Sequence, residues 1–193
     1  MKLSITLKVC LIIAILAIFC FTPLGSIPIG PIVATMAMIP VVISSLTFGK
    51  TIGMIVGFTF GLFSFIYWTF ILPAFPTAFL FTPFAESAGY KGNLGSLVIC
   101  FLPRILIGLT PILVSDLFNK SILGDILGSI VGSLTNTILV ITFIFIFFGN
   151  ENPVIAGKGL LAVLSATVVA NGIPEAIICA IVCPAVARVL RKI

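Results

Sequence analysis

Four polar side chains lie inside long apolar stretches of the sequence and could together bind a small polar ligand. Arg104 stands within FLPRILIGLTP, and Asn136 lies in a second apolar stretch. Asn171 and Glu175 lie in a third, at a spacing that places both on one face of a helix. A guanidinium group grips both oxygens of a carboxylate, and amides bind neutral groups of the same molecule. The four side chains therefore predict a polar cavity for an anionic ligand.

The charges inside these stretches also have a structural interpretation. An unsupported charge in the middle of a bilayer costs about 2.5–3.5 kcal/mol on insertion scales, so Arg104 and Glu175 each need a partner or a cavity. The two could form a salt bridge with each other, and a buried asparagine such as Asn136 can serve only to join helices. The sequence leaves both interpretations open.

Further side chains are placed to complete such a site. Thr35 lies near the start of another apolar stretch, and Tyr90 lies in a long connection before Leu94. Tyr67, Trp68 and Tyr90 supply either aromatic walls or anchors at the membrane interface, the second being the usual role of such rings. We include Thr35 and Tyr90 among the predicted binding residues.

The composition identifies lipid as the solvent around most of the chain. Of 193 residues, 61% are hydrophobic and 8% are charged. A soluble domain of this size needs more polar surface, so we predict an all-α integral membrane protein in which residues 1–193 form one domain. The chain has no histidine, which argues against a zinc site or a histidine-based catalytic triad. Its five cysteines form no CxxC pair and are expected to be free thiols.

Six apolar segments are predicted to cross the bilayer as helices, a crossing that takes about 20 residues. A long connection over residues 74–93 separates the third from the fourth. Several predicted spans contain proline, which membrane helices tolerate when neighbouring groups satisfy the freed carbonyl. The predicted spans are Ile5–Phe21, Ile32–Phe48, Thr51–Leu72, Leu94–Ser115, Ile122–Phe148 and Gly159–Val186.

Lysine and arginine predict the orientation, because they concentrate in cytoplasmic loops. Seven of them fall on the side of both termini and two fall on the other side. This bias predicts cytoplasmic termini and an external connection at 74–93, with roomy external loops that suit a ligand arriving from outside. A signal peptide is disfavoured because no A-x-A cleavage site follows the first apolar run.

Small residues mark two helix faces on which backbones can approach closely. Glycines recur at positions 49, 53, 57 and 61 and form one stripe, which we interpret as packing inside the bundle rather than as a dimer face. Cys10, Ala14 and Ala17 form a narrower stripe on the first span. That second stripe indicates either ordinary packing or a docking surface for another membrane protein.

Five short motifs, in their order and spacing, carry a resemblance to a known family. They are IPIGP at 27–31, Ile39-Pro40, FGLFS at 60–64, LPRI at 102–105 and GSLTNT at 132–137. With the six spans, they resemble the substrate-binding S components of energy-coupling factor (ECF) vitamin transporters, most of all the pantothenate-specific members. The resemblance covers nearly the whole chain. It implies a six-helix subunit of a bacterial, Gram-positive plasma membrane that binds its vitamin from outside.

The resemblance also implies partners and the use of ATP. Such a component would dock through Cys10, Ala14 and Ala17 onto a transmembrane coupling protein that two cytoplasmic ATPases drive. Cys10 and Ala14 have the spacing of the family's docking motif, whereas Ala17 is one residue short of it. The chain itself would be no enzyme and would carry no cofactor, because its partner subunits use the ATP.

The implied roles of the site residues follow from the groups of pantothenate, which has a carboxylate, an amide and two hydroxyls. Arg104 would take the carboxylate, and Asn136 and Asn171 would bind the amide and hydroxyls. Glu175 would accept from a hydroxyl or hold Arg104 in place. Riboflavin has no carboxylate, but biotin and folate do, so an S component for another vitamin stays an alternative.

Three alternatives come from other classes of protein. A membrane enzyme would need clustered acids, whereas Asp116 and Asp125 both lie at the predicted cytoplasmic boundary. A small autonomous transporter would run on an ion gradient, with Glu175 as its coupling group. A structural subunit of another complex would leave the polar cavity without a ligand.

Overall fold

The protein is a bundle of apolar helices with two short β-hairpins. The computed structural model describes residues 4–22, 25–29, 32–87, 89–149 and 159–192. The helices are α1 (Ile5–Phe21), α2 (Ile39–Phe48), α3 (Lys50–Ile66), α4 (Leu94–Ile107), α5 (Thr110–Leu117), α6 (Ile122–Phe148), α7 (Leu160–Thr167) and α8 (Ile173–Lys192). The strands are β1 (Ser26–Ile29), β2 (Ile32–Thr35), β3 (Glu86–Ser87) and β4 (Tyr90–Lys91).

Shorter helical turns extend several of these helices. A wide π-helical turn at Tyr67–Ile71 prolongs α3, and another at Val168–Gly172 precedes α8. A tighter 3₁₀ turn at Met36–Met38 precedes α2, and another at Ala78–Leu80 lies in the long connection. The helical fold that composition predicts is therefore confirmed, and the hairpins are an addition to it.

Four continuous helical stretches within the described residues are long and apolar enough to cross a membrane. Two shorter apolar helices, Ile5–Phe21 and Met36–Phe48, accompany them. The four long stretches are Lys50–Ile71, Leu94–Leu117, Ile122–Phe148 and Leu160–Lys192. The number of spans and the side of the termini stay predictions.

The second predicted span is wrong over its first four residues. Ile32–Thr35 is a strand that pairs antiparallel with Ser26–Ile29, and the helix begins only at Ile39. The first three residues of the IPIGP motif belong to β1, and β-branched side chains in both strands favour the paired conformation. Pro40 therefore lies in the first turn of α2, where its fixed φ favours helix initiation, rather than inside a longer helix.

Two other predicted spans are interrupted, each next to a proline. The fourth turns at Gly108–Leu109, and Pro111 lies in the first turn of the helix that follows. The sixth passes through the π-helical turn Val168–Gly172 immediately before Pro174. Proline lacks the N–H that continues the regular hydrogen-bond ladder, so the turn before it rearranges.

The glycine stripe packs inside the bundle, as the sequence predicts. A side chain added to three of these glycines would collide with the helix that begins at Leu94 or with the turn after it. The close contacts are Gly53 on Gly108, Gly57 on Arg104, and Gly61 on Phe101. The fourth glycine, Gly49, links α2 to α3 at a φ of 90°, which glycine adopts without steric cost.

Asp125 is the centre of a buried ionic network at one end of the bundle. Its side chain is 0% exposed, and Arg191 donates two hydrogen bonds of 2.9 Å to its carboxylate. Arg191 also donates to the Leu46 carbonyl oxygen through Nε at 3.1 Å and Nη2 at 2.6 Å. Ser115 Oγ donates to Asp125 Oδ1 at 2.7 Å, and Arg188 Nε lies 3.3 Å from Oδ2. The network therefore joins α2, α5, α6 and α8.

The burial of Asp125 corrects the sequence analysis, which treats it as a boundary residue. Hydropathy predicts where α6 begins. It does not show that the last turn of α8 covers this first turn of α6. Asp125 lies in the first turn of α6 and Arg191 in the last turn of α8. Each charge therefore complements the dipole of its own helix as well as its partner.

We predict that Asp125→Asn strongly destabilises the protein. The substitution keeps the shape of the side chain but leaves Arg191 without its counter-charge, and breaking a buried pair costs about 3–5 kcal/mol. Thermal unfolding in detergent, followed by the fluorescence of the single tryptophan, measures the effect. Asp116→Asn is the matched control because its 3.5 Å pair with Lys120 is exposed and contributes about 0–1 kcal/mol. Equal melting of the two variants would contradict a structural role for the network.

Candidate functional site

A cavity of about 540 Å³ lies where the end of α1, the end of α3 and the long connection meet. Its volume falls within the roughly 300–1,000 Å³ of small-molecule sites. Half of the residues in its wall are aromatic, and Cys20, Ser64 and Arg104 add polar groups. The aromatic lining consists of Phe19, Phe21, Phe60, Tyr67, Trp68, Phe75 and Phe81.

Pro103 determines where the guanidinium group of Arg104 is held. Because proline has no N–H, the carbonyl of Ile99, one helical turn earlier, is left without its usual donor. Arg104 Nη1 donates to this carbonyl oxygen at 2.7 Å. The group is thus fixed against its own helix, and the side chain is only 7% exposed.

Two aromatic rings enclose the same guanidinium group. Its central carbon lies 5.7 Å from the centre of the Phe60 ring and 5.2 Å from that of Phe81. Trp68 stacks on Phe81 at 5.5 Å, with the rings inclined by 19°. Ring faces attract the cation but accept no conventional hydrogen bond from its edge. The aromatic wall therefore orients Arg104 without saturating its donors.

One buried nitrogen of Arg104 has no partner in this arrangement. Its Nε is buried and has no hydrogen-bond partner among the described residues. The salt bridges described in the structure belong to Asp116 and Asp125, and the Arg104–Glu175 pair stays a prediction. A carboxylate in the cavity could accept from the free edge of Arg104.

Asn136 offers a buried acceptor at a similar level of the bundle. Its Oδ1 has no hydrogen-bond partner among the described residues. The helices α4 and α5 pack in succession along α6, with Gly95 of α4 against Phe147 and Pro111 of α5 against Gly128. Arg104 and Asn136 both lie between these two contacts along the sequence.

Asn171 and Glu175 lie on the α8 side of this level rather than in the cavity wall. Asn171 belongs to the π-helical turn, whose last residue, Gly172, packs on Leu134 and Thr137 of α6. Glu175 follows in the first turn of α8 and is buried. Neither residue, nor Asn136, is among those that line the 540 Å³ cavity.

The two remaining predicted binding residues are Thr35 and Tyr90, and Tyr90 is not among the residues of that wall. The backbone of Thr35 ends β2, while its side chain is outside the described structure. Tyr90 stacks on Phe79 at 5.8 Å, beside a buried cluster that includes Ile99 and Ile144. In the described structure Tyr90 therefore packs the long connection onto the bundle.

Sequence reasoning missed several residues of the wall. Phe81 lies in an irregular connection, where no periodicity identifies its contacts. Phe60 and Ser64 lie on α3 and had a signal in the sequence, because they belong to the FGLFS motif that ends the glycine stripe. Among the described residues, no group of histidine, cysteine and acidic side chains is arranged to hold a metal ion.

The small-residue stripe of α1 is only partly packed against the bundle. Cys10 and Ala14 are exposed, and Ala17 is partly buried. Ile12 and Leu16 instead carry the contact of α1 with the core. Bundle packing therefore does not account for Cys10 and Ala14.

Comparisons with known proteins agree on one family. Residues 7–187 match the family model described as "ECF transporter, substrate-specific component". The chain is also 36% identical over 163 residues to the pantothenic acid transporter PanT of Lactococcus lactis subsp. cremoris. That alignment covers 84% of this chain and 80% of the relative.

We predict that Arg104→Met leaves the melting temperature of the ligand-free protein unchanged or raises it. Arg104 has no counter-carboxylate among the described ion pairs, so an apolar side chain of similar length removes a desolvation cost that offsets the lost hydrogen bond to the Ile99 carbonyl. Arg191→Met is the matched control and should lose about 3–5 kcal/mol because it removes the two hydrogen bonds that Arg191 donates to the buried Asp125 carboxylate. A comparable loss in both variants would make Arg104 a structural residue.

Proposed function

The chain belongs to the substrate-specific components of ECF transporters, and from this premise we propose that it binds pantothenate for uptake. Members of this family are transport subunits rather than enzymes, and the chain is accordingly a multi-pass membrane protein. The observation that carries the choice of ligand is the unpartnered Nε of Arg104 beside an aromatic cavity. The likeness to the pantothenic acid transporter PanT points to the same vitamin.

Pantothenate carries both a carboxylate, which suits the unpartnered Nε of Arg104, and apolar groups that suit the aromatic wall. Its carboxylate would accept from the free edge of Arg104, and its dimethyl-substituted carbon chain would pack on Phe60 and Phe81. Asn136 and Asn171 would bind the amide and hydroxyls, and Glu175 would accept from a hydroxyl. Because these three residues lie outside the cavity wall, this part of the proposal requires the ligand to extend from the cavity toward α6 and α8. Riboflavin, which has no carboxylate, would leave Arg104 buried and uncompensated, at a cost that disfavours it as a ligand.

We place Thr35 and Tyr90 at the edge of the site rather than at its centre. The backbone of Thr35 leads through the turn Met36–Met38 to Ala37, which lines the cavity. Tyr90 contacts Phe79, which precedes Phe81 in the long connection. Both would act by closing the cavity around a bound ligand.

The proposal includes an arrangement of the chain in the membrane. Six helices cross it, both termini are cytoplasmic, and residues 1–193 form one substrate-binding domain. Lys8, Arg188 and Arg191 then lie at the cytoplasmic end, whereas the cavity and Lys91 lie at the external end. The membrane is the plasma membrane of a Gram-positive bacterium, as for the relative from Lactococcus.

Transport requires partners in this scheme. The chain carries no ATPase of its own, and the partners are a transmembrane coupling protein and two cytoplasmic ATPases that use the ATP. The exposed stripe of Cys10 and Ala14, continued by Ala17, is the proposed docking surface. Small side chains there let a partner helix approach closely, which is what drives helix association in lipid.

We predict that Arg104→Met weakens pantothenate binding about 10- to 100-fold, because hydrogen bonds to charged groups are worth about 1.5–3 kcal/mol. Equilibrium binding to the detergent-purified protein measures the loss. Pantothenol, which has an alcohol in place of the carboxylate, should bind the wild type weakly and the variant no worse. Lys91→Met removes an exposed cation and serves as the control, with affinity near that of the wild type. If Arg104→Met weakens both ligands equally, the carboxylate is bound elsewhere.

We predict that Ala14→Leu blocks transport while leaving pantothenate binding unchanged. The larger side chain would hold a partner helix away from the docking stripe without reaching the cavity. Uptake into liposomes containing the complete ECF complex measures transport, and binding is measured on the isolated chain. Ala162→Leu makes the same change at an exposed position of α7 and should leave both unaffected. Normal uptake by Ala14→Leu would move the docking surface away from this stripe.

A further inference from the structure

A second concavity, separate from the ligand cavity, runs between α1, α2 and α8. Its volume is about 370 Å³, and its walls are apolar except for Lys8. Leu11 and Ile15 form the α1 side, Ile43 the α2 side and Leu190 the α8 side. Leu11 and Ile15 are 53% and 47% exposed, so the groove opens to the surroundings of the bundle.

The dimensions of the groove fit one hydrocarbon chain. It extends along α1 from Lys8 to Phe19, which is about 16 Å at the helical rise per residue. That length is close to one leaflet of a bilayer whose hydrocarbon core is about 30 Å thick. Dividing the volume of 370 Å³ by this length gives a mean cross-section of about 23 Å². A helix, with a diameter of about 10 Å, needs more than three times that cross-section.

Lys8 gives the groove a charged end. Its Nζ donates to the Leu190 carbonyl oxygen at 3.2 Å, near the last turn of α8. An ammonium group has three donors, so two stay available for another acceptor. No acidic side chain lines the groove, and a phosphate at this end would complement the charge of Lys8.

The groove and the docking stripe occupy different faces of α1. At 3.6 residues per turn, the mean direction of Lys8, Leu11 and Ile15 is roughly 125° from that of Cys10, Ala14 and Ala17. A partner helix centred on the stripe would therefore not fill the groove, whose narrow cross-section fits a hydrocarbon chain better than a helix.

We propose that this groove binds one acyl chain of an anionic phospholipid, whose phosphate contacts Lys8. The lipid bridges α1 to α8, because Lys8 is already bonded to the Leu190 carbonyl. Binding discriminates between lipids by headgroup charge at Lys8, while the apolar walls accept any chain that fills them. The assignment is independent of the vitamin bound in the other cavity.

Native mass spectrometry of the full chain, released from detergent with phosphatidylglycerol or phosphatidylcholine of identical chains, tests the site. The wild type should retain phosphatidylglycerol preferentially. Lys8→Gln should lower the ratio of retained phosphatidylglycerol to phosphatidylcholine about fivefold, the contribution of one basic residue to an anionic membrane surface. Lys192→Gln removes an exposed cation at the same end of α8, outside the groove, and should keep the wild-type ratio.

A second variant tests the apolar part of the groove. Leu11→Trp with Ile15→Trp fills it from two half-exposed positions and should abolish retention of both lipids. Excess inorganic phosphate should displace neither lipid, because the acyl chain supplies most of the binding. A wild-type lipid ratio in Lys8→Gln would overturn the proposal. So would undiminished retention by the tryptophan variant, or an equal loss of the ratio in Lys192→Gln.

Discussion

Inside a bilayer each buried charge and each backbone carbonyl needs a partner within the protein, and this constraint organises both ends of the bundle. At one end Arg191 satisfies the Asp125 carboxylate and the last carbonyls of α2 together. At the other end Arg104 satisfies a single carbonyl, that of Ile99, which Pro103 leaves free. The first arginine has its donors occupied and holds helices together. The second has a buried donor without a partner, and we propose that this donor binds the carboxylate of the ligand.

The glycine stripe connects helix packing to this binding site. Because Gly57 has no side chain, α3 approaches the backbone of Arg104 directly. Phe60, on the next turn of α3, then reaches the guanidinium group, and the π-helical turn at the end of α3 brings Trp68 onto Phe81. A cation enclosed in this way loses hydration without gaining a counter-ion, which lowers stability in favour of function. We propose that the carboxylate of a bound ligand supplies the missing counter-ion.

The sequence contained enough information for the long helices and for the central cation. The helices Ile5–Phe21 and Ile122–Phe148 begin and end where hydropathy places them, and the position of Arg104 in an apolar run predicted its burial. The prediction for the first part of the second span was wrong because a short apolar run of β-branched residues is compatible with either a helix or a strand. The burial of Asp125 and the position of Phe81 depend on contacts between distant segments, which no local pattern encodes. Phe81 reaches Arg104 only because the long connection folds back over α4.

The claim that a carboxylate completes the bonding of Arg104 is open to a direct distance measurement. Solid-state NMR on protein containing ¹⁵N-labelled arginine, with pantothenate labelled by ¹³C at its carboxylate, reports the separation of the two groups. The account predicts a separation of about 4 Å or less, set by hydrogen bonds between a guanidinium group and a carboxylate, and loss of the signal in Arg104→Lys protein that contains no other change. Saturating ligand with no measurable coupling to an arginine nitrogen, or a coupling that persists in Arg104→Lys, would contradict it.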